Sequence, residues 1–543
     1  MDMGNFDHLS KEDLILLLER REREASYGLV WERKAIEKDR ALNDDFVALE
    51  PVDALSEGDD AFENLIIEGD NYGALRFLRM THAGKIKCIY IDPPYNTGNR
   101  DFVYNDRFFD ANDRFRHSVW LEFMYQRLML ARDLLHPEGV IFVSIDDHEL
   151  FQLGMLMNRI FGERNYIANV IWQKVFSPKN SARHFSVDHD YLLVYASNSD
   201  KWTPNPLPRT EKQDKGYKNP DDDPRGPWTS SDLSARNPYS EGVYPIVSRS
   251  GKRIDGPPSG RYWIISKRKF LEFDSDGRIW WGKNGNNQPR LKRFLSEVKG
   301  GRVPQTFWPY KEVGHTQEAK KEILDILDFV DSASVFSTPK PTRLIERILR
   351  IATDPDDIVL DFFAGSGTTA HAVLKLNKED GGNRRFIMVS NAEATEDEPE
   401  KNLCRDVCAE RVRRVICGYR SKKDEAIPAL GGDFAYLRTS TIPPYRLSTR
   451  LKHEQVWYAL QLMHDYPLCF WSGGEVAWRE SGNGGIAYIP VLRKTAIENM
   501  ARKVDEANKP IIVYTWSPER LKKHLKLETI EPIPETLSRR FRR

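Results

Sequence analysis

With 543 residues and with Lys plus Arg and Asp plus Glu both at 81, the chain is too long for one compact domain, suits about three, and has no global charge that demands a polyanionic partner. Five cysteines, an odd number without regular spacing, exclude a disulfide framework and point to reduced thiols in a cytosolic setting. No apolar run approaches the roughly 20 residues that span a bilayer, and the N-terminal stretch mixes acids and bases throughout, so no membrane partner is expected.

In chain order, residues 9–42 open with a capping box, Ser10 to Asp13, and continue as a charged helix with Leu14, Leu17 and Leu18 on one side. This predicts an N-terminal helical arm over 1–50. Residues 65–196 alternate apolar runs (86–91, 139–145, 191–196) with a helical pattern in which Trp120, Phe123, Met124, Leu128, Ala131 and Leu135 recur at three-to-four-residue spacing. Such alternation predicts parallel strands joined by helical crossovers. The first run ends in "YIDPPYNTG", where consecutive prolines forbid the strand to continue.

From about 200 to 335 the rhythm gives way to a polar, Pro- and Gly-punctuated insertion containing "NPDDDPRGPW" and "DGPPSGRYW". It resumes at "DIVLDFFAGSGTTAHAVLKL", a strand, a glycine turn and a helix, followed by a strand at "RRFIMVSN". Both αβ blocks are expected in one sheet. A tether near 419–433 precedes strand-like "IAYIPVL" and "PIIVYT" and a helix at about 494–508. The fold expected is α/β: a doubly wound Rossmann-like sheet split into 51–200 and 336–420, an inserted domain at 201–335 and a small α/β C-terminal domain at 421–543. Cys404, Cys408 and Cys417 have helical spacing and no second metal-ligand pair at zinc-site distance, and His117, His148 and His371 are scattered, so no metal is expected.

In the glycine turn, Asp361 closes a strand, and Gly365 and Gly367 let the backbone turn tightly where the next helix presents free N–H groups. A phosphate-binding P-loop would need a lysine after the second glycine, where Thr368 and Thr369 stand. Ala370 and Glu393 could complete a dinucleotide pattern, and a Gly-x-Gly turn also serves tight packing with no ligand. The turn therefore specifies a nucleoside-like ligand with an acid for its ribose, a description that S-adenosylmethionine and NAD meet equally.

At the other turn, Pro93 and Pro94 offer carbonyl acceptors on a stiff tip, Asp92 adds a further acceptor, and Tyr95 offers a planar face. An exocyclic amine on a heterocycle fits this set: the acceptors take its N–H hydrogens and the ring stacks. Aimed at an electrophilic methyl, such an amine can be alkylated, and a base buried in duplex DNA must first be flipped out.

"DPPY" far upstream of "DFFAGSGTT", with a long insertion between, resembles the β-class of DNA amino-methyltransferases, closest to the modification subunits of type III restriction-modification systems. The resemblance extends from about 60 to 420. It implies Asp92, Pro93, Pro94 and Tyr95 as the catalytic tetrapeptide, and Asp361, Phe363, Ala364, Gly365, Gly367 and Thr368 as the cofactor loop. It further implies Asp70 and Asn71 of "IIEGDNYGAL" beside the cofactor's adenine, Thr338, Lys340 and Pro341 of "STPKPTRLIERIL" near its methionine end, and Glu393 on its ribose. The context "SNAE" is less apolar than the family's, which leaves Glu396 as a substitute for Glu393.

The implied activity is S-adenosylmethionine-dependent methylation of adenine N6 in double-stranded DNA, in a bacterial, archaeal or phage-encoded cytoplasmic enzyme. A homodimer and a restriction subunit are the implied partners. Alternatives are cytosine-N4 methylation, glutamine methylation on a protein, and a DNA-binding or assembly subunit that no longer turns over. Cytosine-C5 chemistry would need a nucleophilic cysteine beside a proline, which none of the five supplies.

The insertion is the candidate target-recognition domain. Residues 251–310 hold 13 Lys plus Arg against 5 Asp plus Glu, interleaved with Tyr262, Trp263, Trp280, Trp281, Trp308 and Tyr310. Most of the tryptophans are assigned to a small core and most of the bases to phosphate. The terminal "RRFRR" reads as a solvated, disordered tail.

Overall fold

The computed structural model describes residues 44–98, 116–298, 300–328, 339–394, 398–482, 484–507, 509–525 and 529–542, with two short strands at 103–104 and 107–108. The expected N-terminal arm, Thr338 and Glu396 lie outside the described residues. Two compact units result, one of residues 1–204 and 305–543 and one of residues 205–304.

The first unit is built on a ten-stranded sheet. Its elements are β1 (Phe46–Pro51), β2 (Leu65–Glu68), α1 (Asn71–His82), β3 (Ile86–Ile91), α2 (Arg116–Leu134), β4 (Leu135–Ile145), α3 (Leu150–Phe161), β5 (Tyr166–Gln173) and β6 (His189–Ala196). After the insertion come β7 (Phe307–Trp308), α4 (Thr316–Ile326), α5 (Thr342–Ala352), β8 (Ile358–Asp361), α6 (Thr368–Asp380), β9 (Arg385–Ser390), α7 (Glu410–Cys417), β10 (Ala435–Ile442) and α8 (His453–Met463).

The strand order is β1-β10-β2-β9-β8-β3-β4-β6-β5-β7. From β10 to β4 neighbours run parallel, whereas β6 is antiparallel to β4 and β5, and β1 to β10. The parallel strands are buried on both faces, as helical crossovers require: Ile86, Cys88, Ile89 and Ile91 of β3 and Val359 and Leu360 of β8 are fully enclosed. The stripe on α2 expected from spacing is the buried face, with Trp120, Met124, Leu128 and Ala131 inaccessible.

Register determines what the sheet brings together. Val359 of β8 pairs with Cys88 of β3 on one side and Phe386 of β9 on the other, so β8 slots beside β3 and the two motif-bearing strands end at the same edge. Ligands of open parallel sheets bind beyond that edge. Because β6 runs the other way, its first residues, including Asp190, return to the same edge.

Some boundaries differ from the sequence reading. β1 and β10, expected in the arm and in the C-terminal domain, are adjacent strands of the main sheet. Residues 307–326 belong to the first unit, with β7 pairing to β5, so the inserted unit closes at 304 and not 335. In both cases short strands complete a distant edge, a pairing that local pattern does not specify.

Beyond α8 a four-stranded sheet forms from β11 (Ala477–Ser481), β12 (Gly484–Ile489), β13 (Ile511–Thr515) and β14 (Thr529–Pro532), in that order, with α9 (Lys494–Ala507) burying Ala496 and Met500. The chain then enters α10 (Glu535–Arg542). This corrects the tail reading: Leu537 and Phe541, one helical turn apart, are buried, the Phe541 ring lies 4.7 Å from that of Phe46, and Arg76 stacks on it at 4.5 Å. An i,i+4 apolar pair docks the helix while its arginines stay at the surface.

The inserted unit, taken by itself, has a three-stranded antiparallel sheet of residues 279–280, 290–294 and 228–232, and a helix over Lys267–Ser275 capped by the Ser266 side chain. Its core gathers Leu233, Tyr244, Ile246, Trp263, Phe270, Ile279, Trp281 and Leu291. Lys292 is buried against Asp221 and Asp223, the latter at 2.8 Å, whereas Arg249, Arg253, Arg268, Lys283, Arg290 and Arg293 are exposed.

Candidate active site

At the end of β3, the Tyr95 hydroxyl donates to Asp92 Oδ1 at 3.0 Å. Burial first, and then the Asp92 charge, hold the phenol well above its ordinary pKa, so it remains a donor. The Lys340 ammonium donates to Asp92 Oδ2 and lies 5.2 Å from the centre of the Tyr95 ring. Trp120 of α2, fully buried, donates its indole N–H to the Pro94 carbonyl at 2.7 Å and so pins the tip of the turn. The Pro93 carbonyl accepts no hydrogen bond among the described residues. Asn96 follows in the left-handed region at φ 57° and donates at 2.5 Å to Glu149, a fully buried carboxylate that also meets His117 Nδ1 at 2.6 Å. Burial raises the Glu149 pKa against the opposing pull of Asn96 and His117.

At the end of β8, Asp361 is buried and accepts from the Thr369 hydroxyl at 2.6 Å and the Phe363 amide at 3.0 Å. Burial dominates and pushes its carboxyl up to about 7. Gly365 and Gly367 adopt φ 49° and 73°, and a Cβ on Gly367 would lie 3.0 Å from the Cys408 carbonyl oxygen, so the turn needs glycine for both conformation and space. The loop is clamped by Arg411, fully buried, which donates to Thr368 at 2.8 Å, to Ser366 at 3.3 Å, to Thr342 at 3.0 Å and to His371 Nδ1 at 3.2 Å, and pairs with Glu322 at 3.3 Å. Burial and then the Arg411 charge hold the His371 imidazole neutral, which suits it as acceptor. Thr368 also donates to the Lys340 carbonyl at 3.3 Å, joining the "KPT" segment to the glycine turn, while Pro341 caps α5.

Asp70 caps α1 by accepting from the Gly73 amide at 3.0 Å and pairs with Arg127 at 2.9 Å, yet its carboxylate stays well exposed. Asn71 donates to the Phe362 carbonyl at 3.0 Å and accepts from Arg127, tying the start of α1 to the glycine turn. Half-buried Phe363 faces Phe123 at 6.0 Å, and Phe123 carries the Arg127 guanidinium at 3.6 Å. These expected residues thus converge on one edge. Glu393 lies on the exposed loop after β9, at φ 53°, with Lys401 3.7 Å away, and among the described residues it forms no hydrogen bond or ion pair with the others.

Five contributors escaped the sequence reading. Trp120 was visible as part of a helical stripe, but not as a donor to Pro94. Arg411 carried a signal, since with Cys408 and Val415 it recurs at the buried spacing of one helix, a charge on an apolar face. Asp190 of β6 pairs at 2.6 Å with Lys174, the residue after β5, and the Asp190 charge reaches Tyr95 and Lys340 only through the antiparallel return. Glu149 lies just beyond β4, at the N-cap of α3, and had no local signature.

Comparison with known proteins gives a consistent result. The family described as DNA methylase matches residues 86–398, a span that contains both turns. The chain is 37% identical over 404 residues to the Mod subunit of the type III restriction-modification enzyme StyLTI of Salmonella typhimurium, covering 69% of this chain and 59% of that one. It is 32% identical over 383 residues to the EcoPI Mod subunit of Escherichia phage P1, covering 61% and 58%. It is 34% identical over 366 residues to the type II methyltransferase M.KpnI of Klebsiella pneumoniae, covering 64% and 84%. The chain therefore spans about three-fifths of the length of the two Mod subunits. With both turns inside the family match and seated on neighbouring strands of one sheet, this chain belongs to the DNA methylase family.

Proposed function

We propose that the protein transfers a methyl group from S-adenosylmethionine to the N6 amine of an adenine flipped from double-stranded DNA, as the modification component of a restriction-modification system. The observation that carries this reading is the convergence, on the ends of β3 and β8, of an amine-acceptor turn and a glycine turn roofed by a half-buried aromatic. The donor set fits the cofactor: an exposed Asp70 carboxylate, the Asn71 amide, the Phe363 ring and the glycine backbone at the α6 N-terminus suit a cationic nucleoside with an amino-acid tail. Bound there, S-adenosylmethionine supplies an electrophilic methyl group.

The remaining work falls to this chain's own groups. Asp92 and the Pro93 carbonyl accept the two N–H hydrogens of the amine, which draws the nitrogen lone pair out of ring conjugation and favours the positive charge that develops on it. Tyr95 supplies the stacking face, and Trp120 keeps the tip from yielding by holding the Pro94 carbonyl. Asp361 shapes the glycine turn from beneath. Thr338 and Glu393 complete the cofactor contacts in this reading.

The exposed Lys and Arg of the 205–304 unit contact DNA phosphates and fix its register, and the unit chooses the site. Phe151 and Met155, 77% and 45% exposed and one turn apart on α3, are the apolar face of a homodimer, and the Mod names of the relatives point to a restriction subunit as further partner. No helix among the described residues is long and apolar enough to cross a membrane, and the enzyme works in the cytoplasm, where its DNA is.

The test is methyl transfer from radiolabelled S-adenosylmethionine to unmethylated DNA, followed by methylation-sensitive sequencing of DNA from cells that express the protein. N6-methyladenine at one recurring sequence is expected. N4-methylcytosine would replace the adenine assignment, and no incorporation across varied DNA would overturn the enzyme.

A further inference from the structure

The groups that would receive the target amine already hold a cation belonging to this chain. Lys340 reaches Asp92 from the segment before α5: its ammonium donates to Oδ2, lies 5.2 Å from the centre of the Tyr95 ring, and its side chain is only 8% exposed. Tyr95 engages the other oxygen of Asp92 at 3.0 Å. One nitrogen thus uses both features assigned to the amine, the carboxylate and the aromatic face. Its backbone is fixed independently, because its carbonyl accepts from Thr368 of the glycine turn and Pro341 next to it caps α5. A backbone held at the cofactor loop leaves the lysine's four-carbon stem as the adjustable part.

We propose that Lys340 is an internal stand-in for the target amine, seated on Asp92 and Tyr95 until an incoming base displaces its ammonium. The proposal rests on the amine-methylation reading and assigns Lys340 to the base side of the site, not to the cofactor's methionine end. An ammonium, with N–H donors and a positive charge against a carboxylate and a ring face, has the same interactions that the amine develops as it is alkylated. Its departure is a cost on base entry, since the apparent affinity for DNA is reduced by the fraction of molecules in which the seat is free. The swing of one side chain then couples base entry to exposure of the acid.

The experiment compares wild type, Lys340→Met and Lys340→Arg in steady-state methylation of unmethylated genomic DNA, with calorimetric titration of S-adenosylmethionine into each protein as a measure of folding and cofactor binding. For Lys340→Met the expected result is a fall in KM for DNA of about threefold or more, with S-adenosylmethionine affinity within about threefold of wild type. Lys340→Arg, whose fork grips a carboxylate more firmly, should raise KM for DNA. A Lys340→Met enzyme with lowered kcat and unchanged KM would make Lys340 a permanent positioning partner of Asp92 and overturn the stand-in. A tenfold or greater loss of S-adenosylmethionine affinity in the Met variant would return the residue to the cofactor and overturn it equally. Wild type inactive on every DNA would remove the methylation reading and this proposal together, a result distinct from active wild type with altered variants.

Discussion

Asp92 and Asp361 close neighbouring parallel strands and face the same edge of the sheet, yet their surroundings are opposite in kind. Asp92 is partly accessible and is met by a phenol and a lysine ammonium, both carried on side chains from outside its own strand. Asp361 is buried, is met by a hydroxyl and a backbone amide of its own loop, and has its carboxyl pushed up to about 7. The difference separates presentation from construction. An acid that meets a reacting group needs exchangeable partners, and an acid that holds a turn in shape needs partners that belong to the turn.

The comparison can be broken most directly at Asp92. Asp92→Ala should lower the methylation rate by about 10²–10³-fold, read in the radiolabel assay, while leaving the unfolding midpoint near that of wild type. Equal loss of stability and activity would erase the distinction. On the other side, Arg411→Met removes the buried clamp beneath the glycine turn and should cost about 3 kcal/mol of stability in urea unfolding, because Thr368, Ser366 and Thr342 lose a charged donor. A variant as stable as wild type would show that the turn holds itself.

A smaller effect tests Asp361 through pH. Its folded pKa, about 7, lies above the ordinary 3.8, so the folded state binds the extra proton between those values. Its contribution to stability is therefore fully present below about pH 4 and is lost as pH rises through 7. Asp361→Asn should remove that decline, seen as a flatter profile of unfolding midpoint against pH. Gly367→Ala, with φ 73° and Cys408 in the way, should destabilise by about 1–2 kcal/mol in the same unfolding assay.

Much of the sheet was readable because its causes are local. Two consecutive prolines end β3, the Trp120 to Ala131 spacing buries one face of α2, and glycines at 365 and 367 turn the chain into α6. What local pattern missed were contributions from a distance: β1 and β10 completing the sheet edge, β7 ending the insertion early, and α10 docking a basic tail through Phe541. Strand pairing at an edge depends on which backbone is left unpaired after the rest has assembled, and no window of sequence carries that information.

The candidate site divides in the same way. The residue types at each turn, and the chemistry they permit, follow from the sequence, since φ restriction, acceptor geometry and an aromatic face are properties of the residues themselves. Tertiary structure alone decided that β8 would lie beside β3, that Lys340 would reach Asp92, and that Arg411 would sit under the glycine loop. Those juxtapositions arise from burying both faces of a parallel sheet and pairing each charge that burial traps, which are conditions on the whole chain.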